Sequence, residues 1–170
     1  MTTSLFTFVE LYRRIVRSAA HVLRKGEAHV AAAGGSAAEM LAWRLIDDMQ
    51  PLRFQVGVVC NFSKQWPARV AGLPLPDDIP EDLDLDGLYA ALAAAEAFLD
   101  ALRPDQFEGR DEIPLKIAIA NGAFEPTLPA GRWLTVFATT NLFFHLSTAY
   151  DILRAKGVPL GKLDLFSDGL

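Results

Sequence analysis

Cysteine is almost absent from this chain: Cys60 stands alone among 170 residues. An intrachain disulfide framework and a thiolate zinc site are therefore both excluded, and a reducing cytoplasm is the expected setting. Histidine is nearly as scarce, so any imidazole chemistry rests on His21, His29 and His145. An excess of basic charge is also lacking. Sixteen Lys and Arg face 21 Asp and Glu, for a net charge of −5. No basic stripe with interleaved aromatics occurs, which speaks against nucleic-acid binding. No run approaches the roughly 20 apolar residues that span a bilayer. The first residues, MTTSLFTFVELYRR, carry Glu10 inside their apolar run and no small-residue cleavage signal, so they are not read as a signal peptide. The protein is expected to be soluble and cytoplasmic, with no membrane partner. There is no GxGxxG, no P-loop and no GxSxG around Ser147, so nucleotide chemistry and a serine hydrolase have no motif to rest on.

What is present points to a folded helical protein. Hydrophobic residues make up 51% of the chain and charged residues 22%, and the length suits one domain over residues 1–170. From residue 4 to about 33, Leu5, Phe8, Tyr12, Ile15, Ala19 and Val22 recur at three and four, one face of a long helix. His29 continues that stripe, while His21 is expected on the surface. Ser36 and Glu39 have capping-box spacing and start a short helix with Leu41, Ala42, Leu45 and Ile46 on its apolar side. A helix from Pro51 to Val70 follows, with Gln55 intruding on the stripe of Leu52, Val56, Val59, Trp66 and Val70, and with Pro67 expected to loosen it. The proline- and acid-rich segment 73–82 reads as an extended crossover. Asp84 or Asp86 caps the next helix, to about Leu102. Ile113, Leu115, Ile117 and Ile119 alternate before Asn121-Gly122, a hairpin signal with a type I′ turn.

The stretch Arg132 to Gly157 organises the rest. It reads as one long helix. At about 100° per residue, Leu134, Ala138, Ala149 and Ile152 share a face with Asn141 and His145, while Thr140, Ser147, Asp151 and Arg154 lie opposite. Two polar side chains four apart on a core face need partners, at a cost of about 1–3 kcal/mol each if they have none. Gln55 is the expected partner.

Several segments resemble a known family. They are Asp48-Met49-x-Pro51-Leu52-x-x-Gln55-Val56, Ala68-Arg69-Val70-Ala71-Gly72, Phe107-Glu108-Gly109 and Asn141-Leu142-Phe143-Phe144-His145-x-x-Thr148-Ala149-Tyr150-x-Ile152-Leu153-Arg154. The last is Gly157-Val158-x-Leu160-Gly161-Lys162-x-Asp164-x-Phe166. Together they resemble an uncharacterised, domain-of-unknown-function branch of the DinB/YfiT-like four-helix bundles. The resemblance implies an all-α, up-down-down-up bundle, often dimeric. Here it would carry one extra short helix and a small hairpin before the last long helix. The wider superfamily includes metal-dependent enzymes, some acting on thiol adducts. Its metal-binding members use one histidine of the second long helix and an H-x-x-x-H of the last, holding a divalent ion such as zinc or nickel. The matching positions here are Gln55, Asn141 and His145, of which one is histidine.

Three readings of these residues stay open: a buried hydrogen-bond network, a pocket orienting a small polar ligand, and a depleted metal site. Amide oxygens are poor ligands for soft divalent metals, so no metal or other cofactor is expected. The nearest metal candidates are His145 and His29. Tyr150 could reach a ligand or pack in the core. Cys60 has no base beside it to make a thiolate. The catalytic residues, if the protein is an enzyme, are unknown. The chain reads as a non-catalytic or small-ligand-binding homodimer. A metal-dependent transferase or hydrolase of a thiol adduct and a structural or interaction subunit are the alternatives.

Overall fold

The computed structural model describes residues 4–119 and 122–166. It opens with α1 (Phe6–Ala32), α2 (Ala37–Ala42), α3 (Leu52–Ala71) and α4 (Leu85–Asp100). A 3-10 turn (Pro104–Phe107) and a two-stranded hairpin, β1 (Pro114–Lys116) with β2 (Thr127–Pro129), come next. The chain then runs without a break through α5 (Ala130–Arg132), a π-helical turn (Trp133–Ala138) and α6 (Thr139–Ala155). A last 3-10 turn covers Lys162–Phe166.

Local chemistry accounts for the helix ends. Ser36 and Glu39 form the full capping box at the start of α2, satisfying two backbone donors reciprocally. Asp84 caps α4 through Gly87 N–H at 2.9 Å. Gly72 ends α3 at φ 70°, a left-handed conformation that only glycine adopts freely. Helix α2 stops at Ala42, short of the expected Leu45 and Ile46. These two lie in the following loop and are 42% and 61% exposed. Pro67 sits inside α3 without ending it.

Pairwise contacts fix the topology. Helices α1 and α4 run antiparallel, with Arg13 on Asp100 and Arg17 on Glu96. Helices α3 and α6 also run antiparallel. Phe62 stacks on Phe137 (6.3 Å between centroids) and Trp66 on Trp133 (5.3 Å) at the π-helical end of the seam. Helix α1 runs parallel to α6, with Tyr12 against Thr139 and Gly26 against Leu153. The bundle is therefore up-down-down-up. Gly26 allows the close approach, since a Cβ there would lie 2.7 Å from a Leu153 methyl. One continuous hydrophobic cluster joins all four long helices.

The long C-terminal helix differs from expectation in its first third. Residues 133–138 are π-helical, which shifts hydrogen bonds to i→i+5 and alters the local acceptor pattern. The Tyr12 hydroxyl, fully buried, donates to Leu134 O at 2.7 Å, and Thr139 Oγ1 donates to the same carbonyl at 2.9 Å. Burial pushes the Tyr12 phenol above its usual range. The hairpin pairs Leu115 with Leu128, and an isolated bridge joins Ile119 to Phe124. The strands are shorter than the alternation suggests, and Asn121, on which the type I′ turn rests, lies outside the described residues. The Trp133 indole N–H donates to Leu115 O at 2.9 Å and ties the hairpin to the bundle.

His21 is not free on the surface. Its Nε2 lies 2.8 Å from Asp164 Oδ1, which also accepts from Lys25 Nζ at 2.9 Å. Asp164 Oδ2 accepts from Gly161 N–H, and Ser18 Oγ donates to Leu165 O. This clasp binds the C-terminal turn to α1. Chiefly through the Lys25 hydrogen bond, the Asp164 carboxyl is held well below the usual carboxylate range. Such a depressed group contributes stability above its unfolded pKa and loses it as pH falls below that value. Asp164→Ala should therefore be less stable than wild type at pH 7, by about 1–2 kcal/mol. The gap should close as pH drops below about 4. Urea unfolding across that range is the check, and a constant gap would contradict it.

Candidate functional site

The site lies where the first turn of α3 faces the middle of α6. Gln55 is 2% exposed. Its side chain curls back so that Nε2 donates to Gln50 O at 2.8 Å. Its Oε1 lies 2.7 Å from His145 Nδ1 on α6. These contacts orient the pair completely. A backbone carbonyl only accepts, so the Gln55 nitrogen must face Gln50 and its oxygen must face the imidazole. That oxygen also only accepts, so His145 carries its proton on Nδ1. Nε2 is left with a lone pair and has no hydrogen bond to any described residue.

Aromatic edges enclose the imidazole. Phe54, next to Gln55, lies 6.0 Å away at 62°, and Phe144, next to His145, lies 5.1 Å away at 89°. Burial pushes the His145 pKa down to about 4, because no carboxylate offsets the loss of water around the cation. At neutral pH the ring is a neutral acceptor with one fixed tautomer, suited to take a hydrogen bond from a donor. Phe54 was not singled out in the sequence, and Phe144 entered only within the segment that carries the family resemblance. As wall residues, their signal is adjacency to the two polar residues.

The other expected members fall elsewhere. Asn141 is half-buried and donates from Nδ2 to Phe137 O at 2.8 Å, four residues back in its own helix. It shares no hydrogen bond with Gln55, so the expected three-way closure is a two-residue pair. His29 lies in the last turn of α1, with Nε2 3.9 Å from where a Cβ of Gly157 would sit. Gly157 is about twelve residues beyond His145, roughly 18 Å along a helix. His29 is thus on the expected stripe but at the wrong height to join His145. Tyr150 packs half-buried against the core. Cys60 is buried, with its thiol pushed up to about 12 by burial. Ser147 is exposed.

The donor set does not fit a divalent metal. Of the three positions matching the superfamily's ligands, the amide oxygen of Gln55 is committed to imidazole Nδ1, and Asn141 offers only an amide oxygen, a poor ligand for zinc or nickel. Among the described residues no group of three or more His, Cys, Asp or Glu is arranged to hold an ion. None of the helices described is long and apolar enough to cross a membrane.

The up-down-down-up bundle, with its hairpin before the last helix, is a DinB-type helical bundle. A crystal structure of a DinB family member from Shewanella denitrificans superposes with a TM-score of 0.82 at 26% identity, covering 95% of this chain and 90% of that one. The chain belongs to the family described as Domain of unknown function (DUF1993), whose model matches residues 6–166. None of the curated proteins matches it.

The lowered pKa makes a testable statement about His145. A folded value below the unfolded 6.5 means the unfolded chain binds the proton first, so stability falls as pH drops from about 6.5 towards 4 and is flat above. Nitrogen-15 NMR of the imidazole should show the Nδ1–H tautomer at pH 7 and a midpoint below about 5. An Nε2–H tautomer or a midpoint near 6.5 would contradict the geometry.

Proposed function

We propose that this protein is a non-catalytic, small-ligand-binding bundle in which the His145–Gln55 pair stands where related bundles hold a metal. The observation that carries the reading is the hydrogen-bond relay Gln50 O to Gln55 to His145. It commits one imidazole nitrogen and leaves Nε2 as a neutral acceptor beside two phenyl rings. Such a face suits a small molecule that presents a hydrogen-bond donor and some apolar surface. It does not suit zinc or nickel, which want several imidazole or thiolate ligands.

The same reading places the protein in the cytoplasm as a homodimer and treats the chain as one domain. The support for a dimer is a row of large apolar side chains on the outward side of the last helix. Val136, Phe143 and Phe144 are 55%, 44% and 55% exposed. A row of this kind commonly marks an interface. A structural role without a ligand would use that same surface and leave His145 unused.

Three outcomes test the proposal. Protein purified without chelator should carry far less than one zinc or nickel per chain by elemental analysis. A stoichiometric ion would favour the metal-dependent transferase or hydrolase instead. Light scattering at micromolar concentration should give a dimer that Phe143→Ser with Phe144→Ser weakens, whereas a strict monomer would remove that part. His145→Leu should fold, with a loss of about 1–2 kcal/mol from the orphaned Gln55 oxygen, and should lose the thermal shift caused by an uncharged hit from a small-metabolite screen. An equal shift in that variant would place the ligand elsewhere.

A further inference from the structure

A cavity lined in part by Phe54 lies between α3 and the crossover that connects α3 to α4. Its volume is about 260 Å³. Pockets for drug-sized molecules are larger, roughly 300–1,000 Å³. Its size suits a metabolite rather than a drug-sized molecule. The crossover is fastened across it. Asn61 Oδ1 accepts from Ile79 N–H at 3.0 Å, and Gln65 Nε2 donates to Pro76 O at 3.1 Å and to Asp78 Oδ1 at 2.9 Å.

Three features of α3 bear on what the cavity holds. The first is Arg53. Its Nε is buried without a hydrogen-bond partner, and it makes no ion pair with any described residue although Asp78 and Glu81 line the same cavity. A buried guanidinium donor without an acceptor is costly. The second is Asn61. Its oxygen is taken by Ile79, which leaves the amide NH₂ as a free donor two turns from Arg53 on the same side of the helix. The third is Gly57, halfway between them. A mid-helix glycine costs about 1 kcal/mol relative to alanine. At Gly26 close packing explains that cost, because a Cβ would meet Leu153 at 2.7 Å. At Gly57 the nearest atom to a Cβ is an Ile79 methyl at 3.7 Å, an ordinary contact. The glycine does not serve a close approach there. It leaves the floor of the cavity open.

The charges select the ligand. One cation, Arg53, stands against two carboxylates, Asp78 and Glu81, with Phe54, Val58 and Leu88 supplying apolar wall. A plain acid would meet the carboxylates and a plain amine would meet Arg53. A zwitterion satisfies both. We propose that this cavity binds a free amino acid with an apolar side chain, its carboxylate on Arg53 and Asn61 and its ammonium towards Glu81. The ligand supplies the acceptor that Arg53 Nε lacks, and its side chain lies over Gly57.

Calorimetry and thermal shift with L-leucine and L-phenylalanine test this on the full chain. Either amino acid should bind at millimolar concentration or better and raise Tm. Isocaproate, which lacks the ammonium, and isoamylamine, which lacks the carboxylate, should bind at least about tenfold more weakly. Arg53→Met keeps the side-chain stem and should weaken binding by at least about tenfold. Gly57→Leu should abolish binding by filling the floor, with circular dichroism confirming the fold. No heat and no shift from either amino acid would overturn the proposal. So would isocaproate binding as well as leucine, or Arg53→Met binding as well as wild type.

Discussion

The register between α3 and α6 is the constraint on which the rest depends. Stacked aromatics hold one end of that seam, with Trp66 on Trp133 and Phe62 on Phe137. The Gln55–His145 hydrogen bond holds the other. At the aromatic end, large rings in offset contact add about 0.5–1.5 kcal/mol per pair beyond their area. The polar end is directional. Sliding the helices by one turn would leave a 2%-exposed amide oxygen without a donor. Apolar faces tolerate small slips, whereas a buried amide paired to one imidazole nitrogen does not. The same bond fixes the ring's tautomer, so the feature that sets the register also sets the site's chemistry.

Much of this could be read from the residues, and the misreadings have physical causes. The capping box at Ser36 and Glu39 is local and appears as expected. The pairing of Gln55 with His145 followed from two polar residues interrupting two apolar stripes. Asn141 misled because helical angle says which way a side chain leaves the axis, not where its hydrogen bond goes. A short amide can turn back to the carbonyl four residues earlier and satisfy itself. His29 misled for a related reason. Periodicity assigns a face but not a height along a bundle. Leu45 and Ile46 continue a helical spacing that the chain abandons after Ala42. The π-helical turn left no sequence mark, since Trp133–Ala138 is as apolar as any core helix.

The charges show how differently cations are placed on neighbouring helices. Arg13, Arg17 and Lys25 on α1 each face a carboxylate. Arg53 has acidic neighbours on the cavity wall yet pairs with none of the described ones. Its Nε is buried without an acceptor, so the cost of lost hydration falls on that one donor.

The π-helical turn also bears on how such a chain can change in length. A turn of this kind holds one more residue than the α-helical turn it replaces. Losing a residue between Trp133 and Ala138 would let the helix close up as ordinary α-helix, with no gap in its backbone. One turn would still be one turn, so the hairpin and the Trp133 indole would keep their phase relative to His145. The same residue added to regular α-helix would instead turn everything before it by about 100°. The π-helical turn thus takes up one residue of slack between two parts of the chain that are each regular on their own. Tyr12, from a different helix, donates to Leu134 O within it.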